Sequence, residues 1–151
     1  MIKIFEEDLT FGQKRELYFK TFVNKIFDKT DGRDGDFIHI KNKKKLELKS
    51  EEYNLDLNLE KVDFQNKITP NLFIETLSVY HQGKIGGPEQ ALKKNCFWYA
   101  HFFENDIFVL FKTEKIVEWL KKNKEKYRKI LIPNEGYKTE GCPISYKDLE
   151  N

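Results

Sequence analysis

The stretch Lys44-Lys-Leu-Glu-Leu-Lys-Ser50 alternates leucines with charged residues and has the composition of a β-strand. Side chains alternate faces along a strand, so Glu47 and Lys49 point to one side and Leu46 and Leu48 to the other. A carboxylate and an ammonium on one rigid strand suit metal-assisted hydrolysis of a phosphodiester. The carboxylate holds a hard divalent cation, and the lysine orients the attacking water and balances charge. Such a site needs a second carboxylate on a neighbouring element, and Asp36 is the candidate.

The elements that would position these groups follow from the flanking sequence. Residues 36–50, DFIHIKNKKKLELKS, hold two β-prone runs around a polar break, a hairpin pattern. A two-residue loop at Asn42-Lys43 pairs Ile38 with Glu47 and Asp36 with Lys49. It therefore gathers Asp36, Glu47 and Lys49 on one face. Only a loop of even length does this, because an odd one turns Asp36 over. The backbone carbonyl of Leu48 offers a further oxygen. Upstream, Thr10 and Gln13 form a capping box that starts a helix near Phe11. Phe19, Phe22, Val23, Ile26 and Phe27 form its expected apolar stripe, which Glu16 extends toward the helix start. Glu16 is thus a helix-borne carboxylate, either directed at the site or simply well placed in the first turns. Glu75 lies inside a third expected strand, 71–78, between Phe73 and Leu77 on its face, and joins the candidates.

The remaining chain reads as follows. Residues 1–9 suit a short strand or an ordered arm, and 28–36 an acidic turn whose spacing fails the EF-hand pattern. Residues 51–69 read as a loop or flap, and Pro88 as the first residue of a helix after the glycine-rich GKIGG turn. Two more strands flank Glu104-Asn105-Asp106. Thr113 is the expected cap of a last long helix with Ile116, Trp119, Leu120 and Tyr127 inside, and 130–151 is expected to be irregular but docked. The order is helix, three strands, helix, two strands, helix. It predicts one α/β domain over 1–151, with a central mixed sheet of about five strands flanked by helices.

Composition narrows the classes. The 151 residues suffice for one real core, and 15% aromatic content supports one despite 34% charged residues. A net charge of +2 excludes a polycation, so nucleic-acid binding must use local patches. Candidates are Lys41, Lys43, Lys44 and Lys45 in the hairpin turn and Lys84 in GKIGG. Residues 112–129, with eight Lys or Arg against three Glu, form a further basic stretch. GKIGG lacks the ending of a phosphate-binding P-loop. Cys96 and Cys142 lack metal-site spacing and read as buried thiols of a reducing cytoplasm. His39, His81 and His101 lack partners at hydrolase-like spacing and read as structural or surface residues. No apolar run has membrane-spanning length, and the acidic start is unlike a signal peptide, so a cytoplasmic location is expected.

Asp36, ten intervening residues and then Glu47-Leu-Lys49, preceded by a helix carrying Glu16, resemble the PD-(D/E)XK nuclease superfamily. Its members include type II restriction enzymes and Holliday-junction resolvases. The segments PNLFIET, GKIGG, WYAHFF and IFVLFKTEKIVEWL are similar to small phage and prokaryotic proteins of that group, over about residues 10–120. Gly35 replaces the proline of the nominal motif and leaves Asp34 as a rival to Asp36. The resemblance implies a restriction-endonuclease-like core, with Mg²⁺ (or Mn²⁺) held by Asp36 and Glu47 and a catalytic role for Lys49. It also implies DNA as substrate, a Holliday-junction-resolvase-like activity in a bacterial or phage-infected cell, and a homodimer to cut two strands. Two other readings are a phage or mobile-element nuclease acting on duplex or single-stranded DNA, and a nuclease-fold protein that binds nucleic acid without cutting it.

Overall fold

The computed structural model describes residues 10–32 and 35–150, so the expectation for residues 1–9 lies outside them. Helix α1 (Phe11–Val23) opens with the expected capping box. The Gln13 amide donates to the Thr10 hydroxyl, and the Gln13 side chain accepts from the Thr10 amide at 2.9 Å. The helix ends at Val23, which corrects the longer apolar stripe. Phe22 and Ile26 are about half exposed, and Phe27 is buried by the strand it begins rather than by the helix. Arg15 turns inward with Phe19 and Val23. Its guanidinium lies 4.1 Å from the Phe102 ring centroid and donates to the Phe103 carbonyl at 2.6 Å. That cation is held by a ring face and a charge-assisted hydrogen bond.

Strands β1 (Phe27–Gly32), β2 (Gly35–His39), β3 (Lys45–Ser50), β8 (Cys96–Phe102) and β9 (Phe108–Lys112) form a five-stranded sheet in the order β1-β2-β3-β8-β9. Only the β3–β8 pair is parallel, so the sheet is mixed, as expected. Most of the acidic stretch from Asp28 is strand β1 and not a turn. Phe19, Val23, Phe27, Phe37, Leu46, Leu48, Ala100 and Phe102 make one core between α1 and this sheet.

The third expected strand, β6 (Asn71–Val79), exists but belongs to a second sheet, ordered β10-β11-β6-β7. Its neighbours are β7 (Lys84–Ile85), β10 (Ile130–Asn134) and β11 (Tyr137–Ser145), and helix α4 (Tyr146–Glu150) follows. The tail expected to be irregular is thus a β-hairpin and a short helix. Its turn at Gly136, with φ 82°, closes the hairpin. Leu72 and Ile74 of β6 join Cys142 and Ile144 of β11 in a second core. Helix α3 (Thr113–Asn123) adds Ile116 and Leu120 to it, with Trp119 and Tyr127 packed alongside. Thr113 lies inside this helix, and its buried hydroxyl has no hydrogen-bond partner among the described residues, so it is not the expected cap. Helix α2 (Gly87–Lys93) carries Pro88 in its first turn. Residues 51–69 are mainly loop, fixed by the two-residue parallel pair β4 (Asn54–Leu55) and β5 (Ile68–Thr69). Among the described residues no helix is long and apolar enough to cross a membrane.

Candidate active site

The β2–β3 hairpin has a four-residue loop where two residues were expected, because the His39 amide bonds back to the Lys44 carbonyl at 2.7 Å. His39 itself stabilises that loop, its Nδ1 accepting from the Lys41 and Asn42 amides at 3.2 Å. The true register pairs Phe37 with Leu46 and Ile38 with Lys45. It is shifted by an even number, so the faces survive and the partner changes. One step further along, Asp36 stands beside Glu47 rather than Lys49.

Asp36 and Glu47 are both nine-tenths buried. Asp36 Oδ2 accepts the Leu48 amide at 2.8 Å. This is the contact that Leu48 makes at the site through its amide. Burial pushes the Asp36 carboxyl up to about 7, and the adjoining Glu47 carboxyl adds to the rise while the Leu48 amide opposes it. Two carboxyls that abut in a dry place cannot both ionise at low cost. The nearby Cys96 thiol is pushed up to about 11, first by burial and then by the charge of Glu47.

Glu16 reaches the same place from α1. Its carboxyl adjoins Asp36 and pairs with Lys29 of β1 at 2.7 Å, and burial raises its pKa. Lys49 stands on the Glu47 face, with its Nζ 3.9 Å from Glu75 Oε2. Glu75 comes from β6 of the second sheet and also accepts the Gly87 amide at 2.8 Å. This contact explains GKIGG. A Cβ on Gly86 would collide with the Glu75 carboxylate, and one on Gly87, at φ 60°, with the Glu75 carbonyl. The glycines let the chain close over a glutamate.

The hairpin therefore brings together Asp36, Glu47 and Lys49, with Glu16 and Glu75 at opposite flanks. Among the described residues no three Asp, Glu, His or Cys side chains converge closely enough to hold a metal among themselves. Glu16 and Glu75 are engaged by Lys29 and Lys49 instead. The Asp36–Glu47 pair is nevertheless the donor set that a hard cation fits. Mg²⁺ takes one or two protein carboxylates and keeps several waters, and its charge would relieve the repulsion that raises Asp36. Asp34, the rival to Asp36, lies outside the described residues.

The sequence reading missed three residues here. Tyr99 and His101 of β8 lie in register with Glu47 and Lys49, and both are at most 1% exposed. His101 Nδ1 lies 2.7 Å from Glu51 Oε1, a partner fifty positions away in sequence. Glu51 also accepts the Phe73 amide of β6 at 3.4 Å, so it links the two sheets. Sequence spacing hides this pair because fifty positions separate its members and only the parallel β3–β8 register unites them. A mid-strand histidine two residues after a tyrosine was the available signal.

Lys41, Lys43 and Lys44 are exposed in the hairpin turn, and Lys45 is half-buried. Lys44 Nζ lies 3.9 Å from the Phe97 ring centroid, and Lys112 of β9 lies 5.9 Å from it, so the turn and the sheet end share one basic surface. Lys84 is exposed on β7 of the other sheet, apart from that group. Comparison of the chain with protein-family models, with curated proteins and with solved structures finds no match.

Proposed function

We propose that this protein is a Mg²⁺-dependent endodeoxyribonuclease with a restriction-endonuclease-like core, acting on branched DNA in the manner of a Holliday-junction resolvase. One observation carries the reading: Asp36 and Glu47 abut on adjacent strands, with the Lys49 ammonium on the same face of β3. This arrangement is costly for a structural site, because burying two neighbouring carboxyls penalises their charge. It becomes favourable when a divalent cation and a phosphate arrive.

Asp36 and Glu47 would hold the cation, and Mn²⁺ would substitute for Mg²⁺. The cation would supply charge stabilisation at the phosphate and acidify its bound water. Asp36 is kept in place by the Leu48 amide. Lys49, aimed by Glu75, orients the attacking water and offsets the carboxylate charge. Glu16 supports Asp36 from the helix side. Lys41, Lys43, Lys44 and Lys45 supply phosphate contacts, with Lys84 as a more distant one. Cutting both strands of a junction requires two sites, so a homodimer is part of the proposal.

The test is cleavage of labelled four-way junction, duplex and single-stranded DNA with Mg²⁺, Mn²⁺ or EDTA. The expected result is metal-dependent cutting, strongest on the junction and lost in Glu47→Ala and Lys49→Ala. Cutting of simple duplex or single strands instead would assign a general nuclease. Binding of DNA without cutting would overturn the catalytic reading.

A further inference from the structure

Among the described residues, four buried side-chain atoms lack a hydrogen-bond partner: Arg15 Nε, Tyr99 Oη, His101 Nε2 and Thr113 Oγ1. Two of them share an address. Tyr99 stands in register with Glu47 and His101 with Lys49, so a Tyr-x-His pair on β8 lies beside the Glu-x-Lys pair on β3. Parallel neighbours in register share a face, so these four side chains point to one side of the sheet.

Each unpartnered atom has a defined chemical character. The Tyr99 hydroxyl stays protonated, because burial and then the surrounding Glu75, Glu47, Glu51 and Asp36 carboxyls raise its pKa well above the ordinary value. It is therefore a donor amid acceptors. Glu51 Oε1, 2.7 Å from His101 Nδ1, fixes the ring and leaves Nε2 as its unpartnered nitrogen, on a residue in register with Lys49. Buried polar atoms in native proteins are nearly always hydrogen-bonded, and exceptions concentrate where a ligand or ordered water belongs.

We propose that Tyr99 and His101 are positioning residues which, through buried water, orient the side chains of Glu47 and Lys49 in the active site. Tyr99 Oη serves the Glu47 side and His101 Nε2 the Lys49 side. Glu51 sets the imidazole and ties this tier to β6 through the Phe73 amide. The proposal rests on the nuclease reading of the same face.

The test uses the full-length protein with Tyr99→Phe and His101→Asn, each of which deletes one unpartnered atom. The asparagine amide can still donate to Glu51 where Nδ1 did. Expected are melting temperatures within about 4 °C of wild type for His101→Asn, and at or above wild type for Tyr99→Phe. Single-turnover kcat should fall at least tenfold in each, with KM for DNA unchanged. A purely structural tier would lower stability and leave kcat in place, and wild-type kcat in both variants overturns the proposal. Should wild type cut no DNA, or a variant fail to fold, the imidazole ¹⁵N spectrum of resting wild type decides. A hydrogen-bonded His101 Nε2 upholds the tier, and the frequency of a bare nitrogen overturns it. Only a wild type that cuts no DNA sinks the nuclease reading, and it does so at the cleavage assay, separately from this spectrum.

Discussion

On one face of β3, Leu46 and Leu48 are 1% and 5% exposed and share a core with Phe19, Phe37 and Phe102. On the other face, Glu47 is also buried, at 9%, but its neighbours are Asp36, Tyr99 and a lysine. The backbone is common to both, so the difference lies in what burial costs. Burying a leucine removes apolar surface from water, while burying abutting carboxyls penalises the charged state. One face therefore stores stability and the other spends it. Edge-to-face rings at 5.1 to 5.3 Å around Phe19 show how closely the storing face is packed.

Substitutions should separate the faces. The largest effect is expected from Glu47→Gln, which keeps shape and removes charge. Single-turnover cleavage should fall on the order of 10³-fold, about 4 kcal/mol of barrier, while the melting temperature holds or rises. On the leucine face, Leu46→Ala should cost about 3 kcal/mol by urea unfolding and leave the kcat of the folded fraction intact. If Leu46→Ala spared stability or Glu47→Gln destroyed it, the division would be wrong.

Asp36→Asn sharpens the same contrast through pH. The folded carboxyl titrates near 7 against an unfolded value of 3.8, so between them the native state holds more protons than the unfolded one. Stability of the metal-free protein should therefore fall as pH rises from about 4 to about 7. Asp36→Asn should remove that decline, with a gain of up to about 4 kcal/mol at pH 8 and none near pH 4. Denaturant melts across that range, in EDTA, check it. A smaller effect, about 1 kcal/mol of lost stability, is expected for Thr10→Ala, because the capping box starts the helix that covers the leucine face. Smallest in energy per residue is the basic turn. Replacing Lys41, Lys43 and Lys44 by alanine should flatten the salt dependence of DNA binding by up to about three phosphate contacts, without changing stability.

Local patterns in the sequence carried far, and long-range geometry did not. The capping box, the Leu46/Leu48 alternation and Pro88 are short-range signals, and the structure keeps all three. The even loop preserved the face of Asp36 although its length and cross-strand partner were misread, because parity alone decides which side a strand residue occupies. The C-terminal hairpin escaped notice because Pro133, Gly141 and Pro143 are weak strand residues by composition. Pro133 is tolerated because β10 is an edge strand, Pro143 because the β10 pairing stops at Gly141, and Gly141 because its missing Cβ makes room for the Phe73 ring. That hairpin is what recruits β6 into a second sheet. The Glu51–His101 pair and the Tyr99 hydroxyl were invisible for the same reason: only the crossover from β3 to β8 brings them to Glu47 and Lys49.

The central claim is that the Asp36–Glu47 pair holds a divalent cation. Mn²⁺ titration followed by electron paramagnetic resonance tests it directly, on wild type, Asp36→Asn and Glu47→Gln at matched fold. The account expects saturable binding to wild type, competed by Mg²⁺ and strongly weakened in both variants. Binding that is equal in all three proteins, or absent from wild type even with DNA present, would contradict it.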